Sequence, residues 1–137
     1  MTGFPISGGC QCGAVRYTVH AAPSEVVHCH CSMCRKTNGS LFWTGAGVAA
    51  EHLTIEGEKN LTSYQSSPNV IRQFCRTCGG TLFARLPEAP ETIYFTPATL
   101  DGGVHPGHPT GSETHIYVGS KVAWKEITDD VPQFETE

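Results

Sequence analysis

The sequence has few basic residues, no long hydrophobic run and no charged tail. Nine Lys and Arg residues against 13 Asp and Glu residues give a formal net charge of −4, and the basic residues form no stripe. Binding to nucleic acid through phosphate neutralisation is therefore not expected. No apolar stretch approaches the roughly 20 residues that a membrane helix needs, so we expect no association with a membrane.

The sequence also lacks the features of a secretory leader at its start. The stretch MTGFPISGG has neither a charged segment nor an apolar one, whereas a signal peptide has both. We therefore expect a cytoplasmic protein, a compartment in which thiols stay reduced. A length of 137 residues is typical of one domain, and we predict a single domain over residues 1–137.

Short stretches of alternating polar and apolar residues predict a mostly β fold of short antiparallel strands. Val15, Tyr17 and Val19 share one face of such a stretch, as in a half-buried strand. The predicted strands cover 14–20, 25–30, 41–48, 70–75, 81–86, 92–95 and 115–120. Only 32–38 and 97–101 favour short helical turns. Trp124 is expected to anchor the C-terminal segment in the core.

The seven cysteines fall into three closely spaced groups: CQC at 10–12, CHCSMC at 29–34 and CRTC at 75–78. A Cys-x-x-Cys turn followed by Gly directs two thiolates to one metal ion, and alternate residues of a strand point to the same face. A disulfide framework fits an odd number of cysteines badly. Four cysteines together predict a structural zinc site: Cys10, Cys12, Cys75 and Cys78.

The remaining cysteines, Cys29, Cys31 and Cys34, predict a second zinc site with three protein ligands. Three ligands and one exchangeable position are the arrangement of catalytic zinc, whereas structural sites are closed. A redox group without a metal is one alternative. A closed Cys₃His site is another, with its fourth ligand from one of three histidines: His28, His30 or His115.

Ordered motifs cover nearly the whole chain: GGCQCGAVRY, CHCSMCRKTNG, FCRTCGGTLF and HIYVGSKVAW, followed by DDVPQF. Together they resemble the glutathione-dependent formaldehyde-activating enzyme family, which also includes centromere protein V. The resemblance implies the Mss4-like zinc-binding β fold. It also implies that the four-cysteine group holds a structural zinc ion and that the three-cysteine group holds a catalytic one.

The activity that the resemblance implies is condensation of formaldehyde with glutathione to S-hydroxymethylglutathione, a reaction of the carbon–sulfur lyase class. The implied cofactors are two Zn²⁺ ions, with glutathione as the candidate co-substrate. The expected partner is therefore a small-molecule thiol or aldehyde. The alternative is a non-catalytic zinc-binding module that binds a protein or thiol ligand.

Basic residues and histidines close to the second site are candidates for contact with the substrate. Arg35 and Lys36 follow Cys34 directly and are predicted to hold a carboxylate of a thiol such as glutathione. His30 or His115 is predicted to move a proton near neutral pH. On a strand, the side chain of His30 points away from the ligands on either side of it.

Overall fold

The computed structural model describes residues 3–137, which form ten short strands and one α-helix, α1 (Ser32–Asn38). The strands are β1 (Ile6–Gly9), β2 (Arg16–Val19), β3 (Glu25–Cys29), β4 (Trp43–Ala49), β5 (Leu53–Glu56), β6 (Leu61–Ser67), β7 (Val70–Cys75), β8 (Thr81–Arg85), β9 (Thr92–Phe95) and β10 (Glu113–Ile116). Short 3₁₀ turns occupy several of the connections. Among the described residues, no helix has the length and apolarity that crossing a membrane requires.

The strands form two sheets, one of three strands in the order β1-β2-β5 and one of seven in the order β10-β3-β4-β9-β8-β7-β6. The predicted mostly β fold of short strands is confirmed. One pair departs from the antiparallel arrangement, because β10 runs parallel to β3. A parallel pair cannot be joined by a tight hairpin, and the strands from β4 to β9 separate β3 from β10 along the chain.

The two sheets share one hydrophobic core, in which Val15, Tyr17 and Val19 from the β2 region are fully buried. The ring of Tyr17 lies 5.5 Å from that of Phe83 and 5.6 Å from that of Phe95, measured between centroids. The predicted alternation over residues 14–20 is therefore correct. Since β2 follows the CQC loop and β8 follows the CRTC turn, this packing brings the two cysteine pairs towards each other.

Three strands carry too little sequence signal to be predicted: β1, β5 and β6. In β1, Gly8 lies so close to Tyr17 that an added Cβ would be 2.7 Å from the tyrosine hydroxyl. The close packing therefore requires a residue without β propensity. β6, LTSYQSS, is a polar strand at the sheet edge, where the apolar alternation is weak.

The strand predicted over residues 115–120 ends at Ile116. Tyr117 adopts the left-handed conformation (φ 57°, ψ 39°), and a 3₁₀ turn over Val118–Ser120 follows it. A left-handed residue cannot continue a strand. The pattern HIYV therefore predicted the existence of the strand but not its end.

The prediction that Trp124 anchors the C-terminal segment in the core is wrong, because this residue is 75% exposed. The segment is attached through its backbone instead. The His115 amide donates to the Pro132 carbonyl at 2.8 Å, and the Phe134 amide donates to the His115 carbonyl at 2.9 Å. These bonds fix the segment against β10 without an apolar anchor.

Candidate metal centres

The four-cysteine centre joins the CQC loop after β1 to the end of β7. The Cys12 sulfur lies 3.7 Å from the sulfurs of Cys10 and Cys75, and all four sulfurs, with Cys78, lie within 4.8 Å of one another. Two sulfurs that bind one tetrahedral zinc ion at about 2.3 Å are roughly 3.8 Å apart, whereas a disulfide bond is about 2.05 Å long. The spacing therefore fits a zinc ion and not a disulfide.

Hydrogen-bond donors surround the sulfurs of this centre. The amide of Val15 points to the Cys10 sulfur at 3.3 Å, and the side-chain amide of Asn60 donates to the Cys75 sulfur at 3.2 Å. The backbone amide of Cys78 is the main cause that lowers the pKa of Cys75 to about 6. These donors favour the thiolate form that binds metal. No sequence pattern points to Asn60, because it approaches the centre from a different turn.

The three-cysteine centre lies where β3 leads into α1. Cys29 ends β3, Cys31 is the N-cap of α1, and Cys34 is the buried residue of the helix. Their sulfurs lie within 4.8 Å of one another, and within residues 3–137 no histidine nitrogen or carboxylate oxygen completes the group. The closed Cys₃His alternative therefore finds no support in the geometry. Three converging thiols with no fourth protein ligand match an open zinc site.

A buried arginine stabilises the negative charge of this centre. Arg72 of β7 is 6% exposed, and its Nη2 lies 3.4 Å from the Cys34 sulfur while its Nε donates to Ser66 at 2.9 Å. Hydrogen bonds from Cys29 and then from Arg72 lower the pKa of Cys34 to about 6. Arg72 stands 38 positions after Cys34, so the sequence cannot reveal this contact.

We predict that Arg72→Leu weakens zinc binding at the three-cysteine centre by roughly 10- to 100-fold, as is typical of groups that orient and charge-balance metal ligands. Competition against a chromophoric chelator measures the affinity of the weaker of the two sites. Arg85→Leu is the matched control, because Arg85 lies on the neighbouring strand and donates to Gln73. Equal affinities in the two variants would contradict the role of Arg72.

Aromatic side chains enclose the sulfurs on the same face of the large sheet. Trp43, Tyr94 and Tyr117 pack against the cluster that contains Cys29 and Cys34. The Trp43 indole N–H donates to the Thr96 hydroxyl at 3.1 Å, which fixes the ring. This wall limits the water that reaches the centre, and low water content strengthens electrostatic interactions there.

The two histidines predicted as catalytic lie together, behind the sulfurs. His30 Nε2 is 2.9 Å from His115 Nδ1, and each residue is 3% exposed. His30 packs on Phe42, whereas Cys29 packs with Trp43. Since adjacent residues of an extended chain point to opposite sides, the histidines and the sulfurs occupy opposite faces.

An aspartate from the C-terminal segment fixes the tautomers of this pair. Both Asp129 carboxylate oxygens lie 3.2 Å from His115 Nε2, and a carboxylate only accepts. His115 therefore donates from Nε2 and accepts from His30 at Nδ1.

Burial, followed by repulsion from His115, lowers the pKa of His30 to about 4. A small cavity of about 130 Å³ adjoins these residues. The sequence analysis missed Asp129, because only the folding of the C-terminal segment brings it to His115.

The two predicted substrate-holding residues also lie together, on α1. Arg35 and Lys36 line one depression of about 390 Å³. The Arg35 amide donates to the Cys31 carbonyl at 3.0 Å, which places Arg35 one helical turn beyond a predicted zinc ligand. The structure thus places two cations on the helix that carries Cys34.

Family models, curated proteins and solved structures each include proteins similar to this chain. A family model described as "Glutathione-dependent formaldehyde-activating enzyme" matches residues 5–120. A Halomonas elongata protein, provisionally named as such an enzyme, is 31% identical over 89% of this chain and 80% of its own length. An uncharacterized lyase of Schizosaccharomyces pombe is 29% identical over 71% and 69% of the two chains. A crystal structure of a Rhodobacter sphaeroides protein has a TM-score of 0.62 and 31% identity, covering 74% of this chain and 92% of that one.

Proposed function

The chain belongs to the glutathione-dependent formaldehyde-activating enzyme family, and we propose that it is a zinc-dependent carbon–sulfur lyase that forms and cleaves S-hydroxymethylglutathione. The observation that carries this proposal is the three-cysteine centre, in which Cys29, Cys31 and Cys34 converge without a fourth protein ligand among the described residues. The four-cysteine centre is proposed to hold a second, structural zinc ion. The family and its named relatives support the choice of glutathione and formaldehyde.

A zinc ion held by Cys29, Cys31 and Cys34 would have one open position, which would hold a thiol as its thiolate or polarise an aldehyde oxygen. In the forward reaction the S–H bond of the thiol and the π bond of the aldehyde C=O break, and a C–S bond forms between the thiol sulfur and the aldehyde carbon. The aldehyde oxygen takes up the proton that the thiol released. Arg72 balances part of the charge on the cysteine sulfurs through Cys34, while Arg35 and Lys36 are proposed to hold a carboxylate of the thiol.

His30 and His115 line a small cavity on the face opposite the sulfurs. They are proposed to carry the released proton through water in that cavity. The lowered pKa of His30 keeps its ring neutral at pH 7, so that a proton passed to it is released again and not held. A His30→Gln variant tests this role. A fall in kcat with both zinc ions retained supports it, and an unchanged kcat removes the histidines from the mechanism.

The function itself is tested by exchange NMR on an equilibrium mixture of ¹³C-formaldehyde and glutathione. We expect the zinc-loaded protein to accelerate exchange between methanediol and S-hydroxymethylglutathione in proportion to its concentration, because the adduct also forms without catalyst. Protein treated with a chelator serves as the control. An uncatalysed exchange rate in the presence of fully zinc-loaded protein would contradict the proposal and favour a non-catalytic module that binds a thiol or a protein.

We propose a cytoplasmic location on the basis of the thiols themselves. All seven cysteines are free, and both centres need reduced, deprotonated sulfurs to bind metal. A reducing compartment preserves such thiols. Fractionation of cells that express the protein tests the assignment, and recovery in an oxidising compartment would contradict it.

A further inference from the structure

The turn that follows β10 directs a tyrosine towards the three-cysteine centre. In the register of β10 against β3, Ile116 lies beside Cys29. A regular strand would place Tyr117 on the opposite face, together with His115. Instead, Ile116 and Tyr117 both pack against the buried cluster around Cys29. Two adjacent residues of the chain therefore face the sulfurs.

A left-handed backbone produces this change of direction. Tyr117 has φ 57° and ψ 39°, and within residues 3–137 it is the one residue other than glycine with a positive φ. This conformation is unfavourable for a bulky side chain and persists only where the surrounding structure enforces it. Since such outliers concentrate at functional sites, the position of Tyr117 points to a function.

The C-terminal segment holds the tyrosine in this conformation. The Tyr117 amide donates to the Thr136 carbonyl at 3.1 Å, and the Val118 amide donates to the Phe134 carbonyl at 3.0 Å. The Ser120 amide donates to the Tyr117 carbonyl at 3.0 Å. Both backbone polar groups of the tyrosine are thus paired, and its conformation is fixed before any ligand binds.

Of the three aromatic residues that pack against the sulfurs, Tyr117 is the one with a free polar group. The Trp43 indole N–H donates to the Thr96 hydroxyl at 3.1 Å, and the Tyr94 hydroxyl donates to the Glu25 carboxylate at 2.6 Å. The hydroxyl of Tyr117, which is half-buried, has no hydrogen-bond partner within residues 3–137. It therefore remains available to a ligand at the centre.

The proposed reaction develops a charge that such a hydroxyl stabilises. When a thiol sulfur attacks an aldehyde, negative charge forms on the aldehyde oxygen before that oxygen receives a proton. A donor that is already in place lowers the free energy of this charged state. A phenol is protonated at pH 7, and burial, followed by the negative charges of Glu137 and of the three cysteine sulfurs, raises the pKa of Tyr117 further.

We propose that Tyr117 is a catalytic residue whose hydroxyl donates a hydrogen bond to the aldehyde oxygen while the C–S bond forms at the three-cysteine centre. This inference rests on the proposed function, because it names the residue that stabilises the charge developed in that reaction. It also gives the C-terminal segment a positioning role, since Phe134 and Thr136 fix the backbone around the tyrosine.

The first experiment measures binding to the zinc-loaded protein by calorimetry and does not require turnover. Thioacetate is a thiolate at neutral pH and carries an oxygen on the carbon attached to its sulfur, as the adduct does, whereas ethanethiol carries none. We expect Tyr117→Phe to raise the Kd of thioacetate about tenfold, because a hydrogen bond to a charged acceptor is lost. The Kd of ethanethiol should not change.

The matched control is Tyr64→Phe, which removes the hydroxyl of an exposed tyrosine on the edge strand β6. It is expected to change neither Kd. In turnover, Tyr117→Phe should lower kcat for the exchange about 100-fold, as loss of one such donor typically does, with the zinc content, the circular dichroism and the KM for glutathione unchanged.

The outcomes separate this inference from the proposed function. Equal thioacetate Kd values in wild type and Tyr117→Phe overturn the role of Tyr117, and so does wild-type kcat in the variant. A higher thioacetate Kd in the variant supports the hydrogen bond even when the exchange experiment shows no catalysis, in which case only the proposed reaction is lost. Protein that binds neither thioacetate nor ethanethiol has no open position, which overturns both.

A measurement on the wild-type protein covers the case in which Tyr117→Phe loses zinc or does not fold. With ¹³C at Cζ of every tyrosine, a resonance that shifts on addition of thioacetate but not of ethanethiol supports the hydrogen bond. The absence of any such shift overturns it.

Discussion

Replacing Cys75 by Ser is expected to prevent the protein from folding. Cys75 is fully buried at the end of β7, and its sulfur lies 3.7 Å from that of Cys12 in the turn between β1 and β2. Structural zinc contributes about 10–16 kcal/mol to folding, and a whole domain is stable by only about 5–15 kcal/mol. Loss of a zinc ion from the four-cysteine centre would therefore remove about as much free energy as stabilises the whole fold. Far-UV circular dichroism and thermal denaturation measure the result.

The matched control for this prediction is a Cys→Ser replacement at the other centre, which is expected to fold. A Cys75→Ser protein that unfolds cooperatively near the wild-type temperature would show that the four-cysteine centre does not stabilise the fold. Zinc analysis of the same sample would then show whether the remaining three sulfurs still hold the metal.

Cys31→Ser is expected to lower the catalysed exchange by on the order of a thousandfold or more, which corresponds to the several kcal/mol that a metal ion supplies to a transition state. The fold should survive, because the Cys31 sulfur accepts a bond from the Cys34 amide as the N-cap of α1. A serine oxygen accepts the same bond and is among the preferred N-caps. The substitution therefore removes a metal ligand while the start of the helix is retained.

The zinc content of Cys31→Ser distinguishes loss of the metal from loss of the helix. We expect one zinc ion per chain, unchanged circular dichroism and no catalysis above the uncatalysed rate. Wild-type activity in a protein with one zinc ion would show that the three-cysteine centre is not the catalytic one.

Local spacing made the two cysteine clusters predictable from the sequence. Cys-x-Cys on extended chain and Cys-x-x-Cys in a turn bring sulfurs together within a few residues, so both groups could be predicted before the fold was known. The alternation of buried and exposed residues in the β2 region is local in the same way. Gly8 in β1 shows the limit, because its identity is set by the distant Tyr17 ring.

The residues that tune the centres could not be predicted, because they are paired across long stretches of chain. Arg72 reaches Cys34 from a different strand, and Asp129 reaches His115 from the tail. Trp124 was misjudged for a related reason. Its hydrophobicity predicts burial, but backbone bonds to β10 attach the tail and leave the indole free.

The most direct test of two zinc centres, one closed and one open, is elemental analysis of the reduced protein combined with zinc X-ray absorption. We predict two zinc ions per chain that share the seven cysteine sulfurs, with the average number of sulfur neighbours rising to four when glutathione is added. One zinc ion per chain, surrounded only by sulfur and unchanged by glutathione, would contradict the account. It would show that Cys29, Cys31 and Cys34 do not form an open metal site.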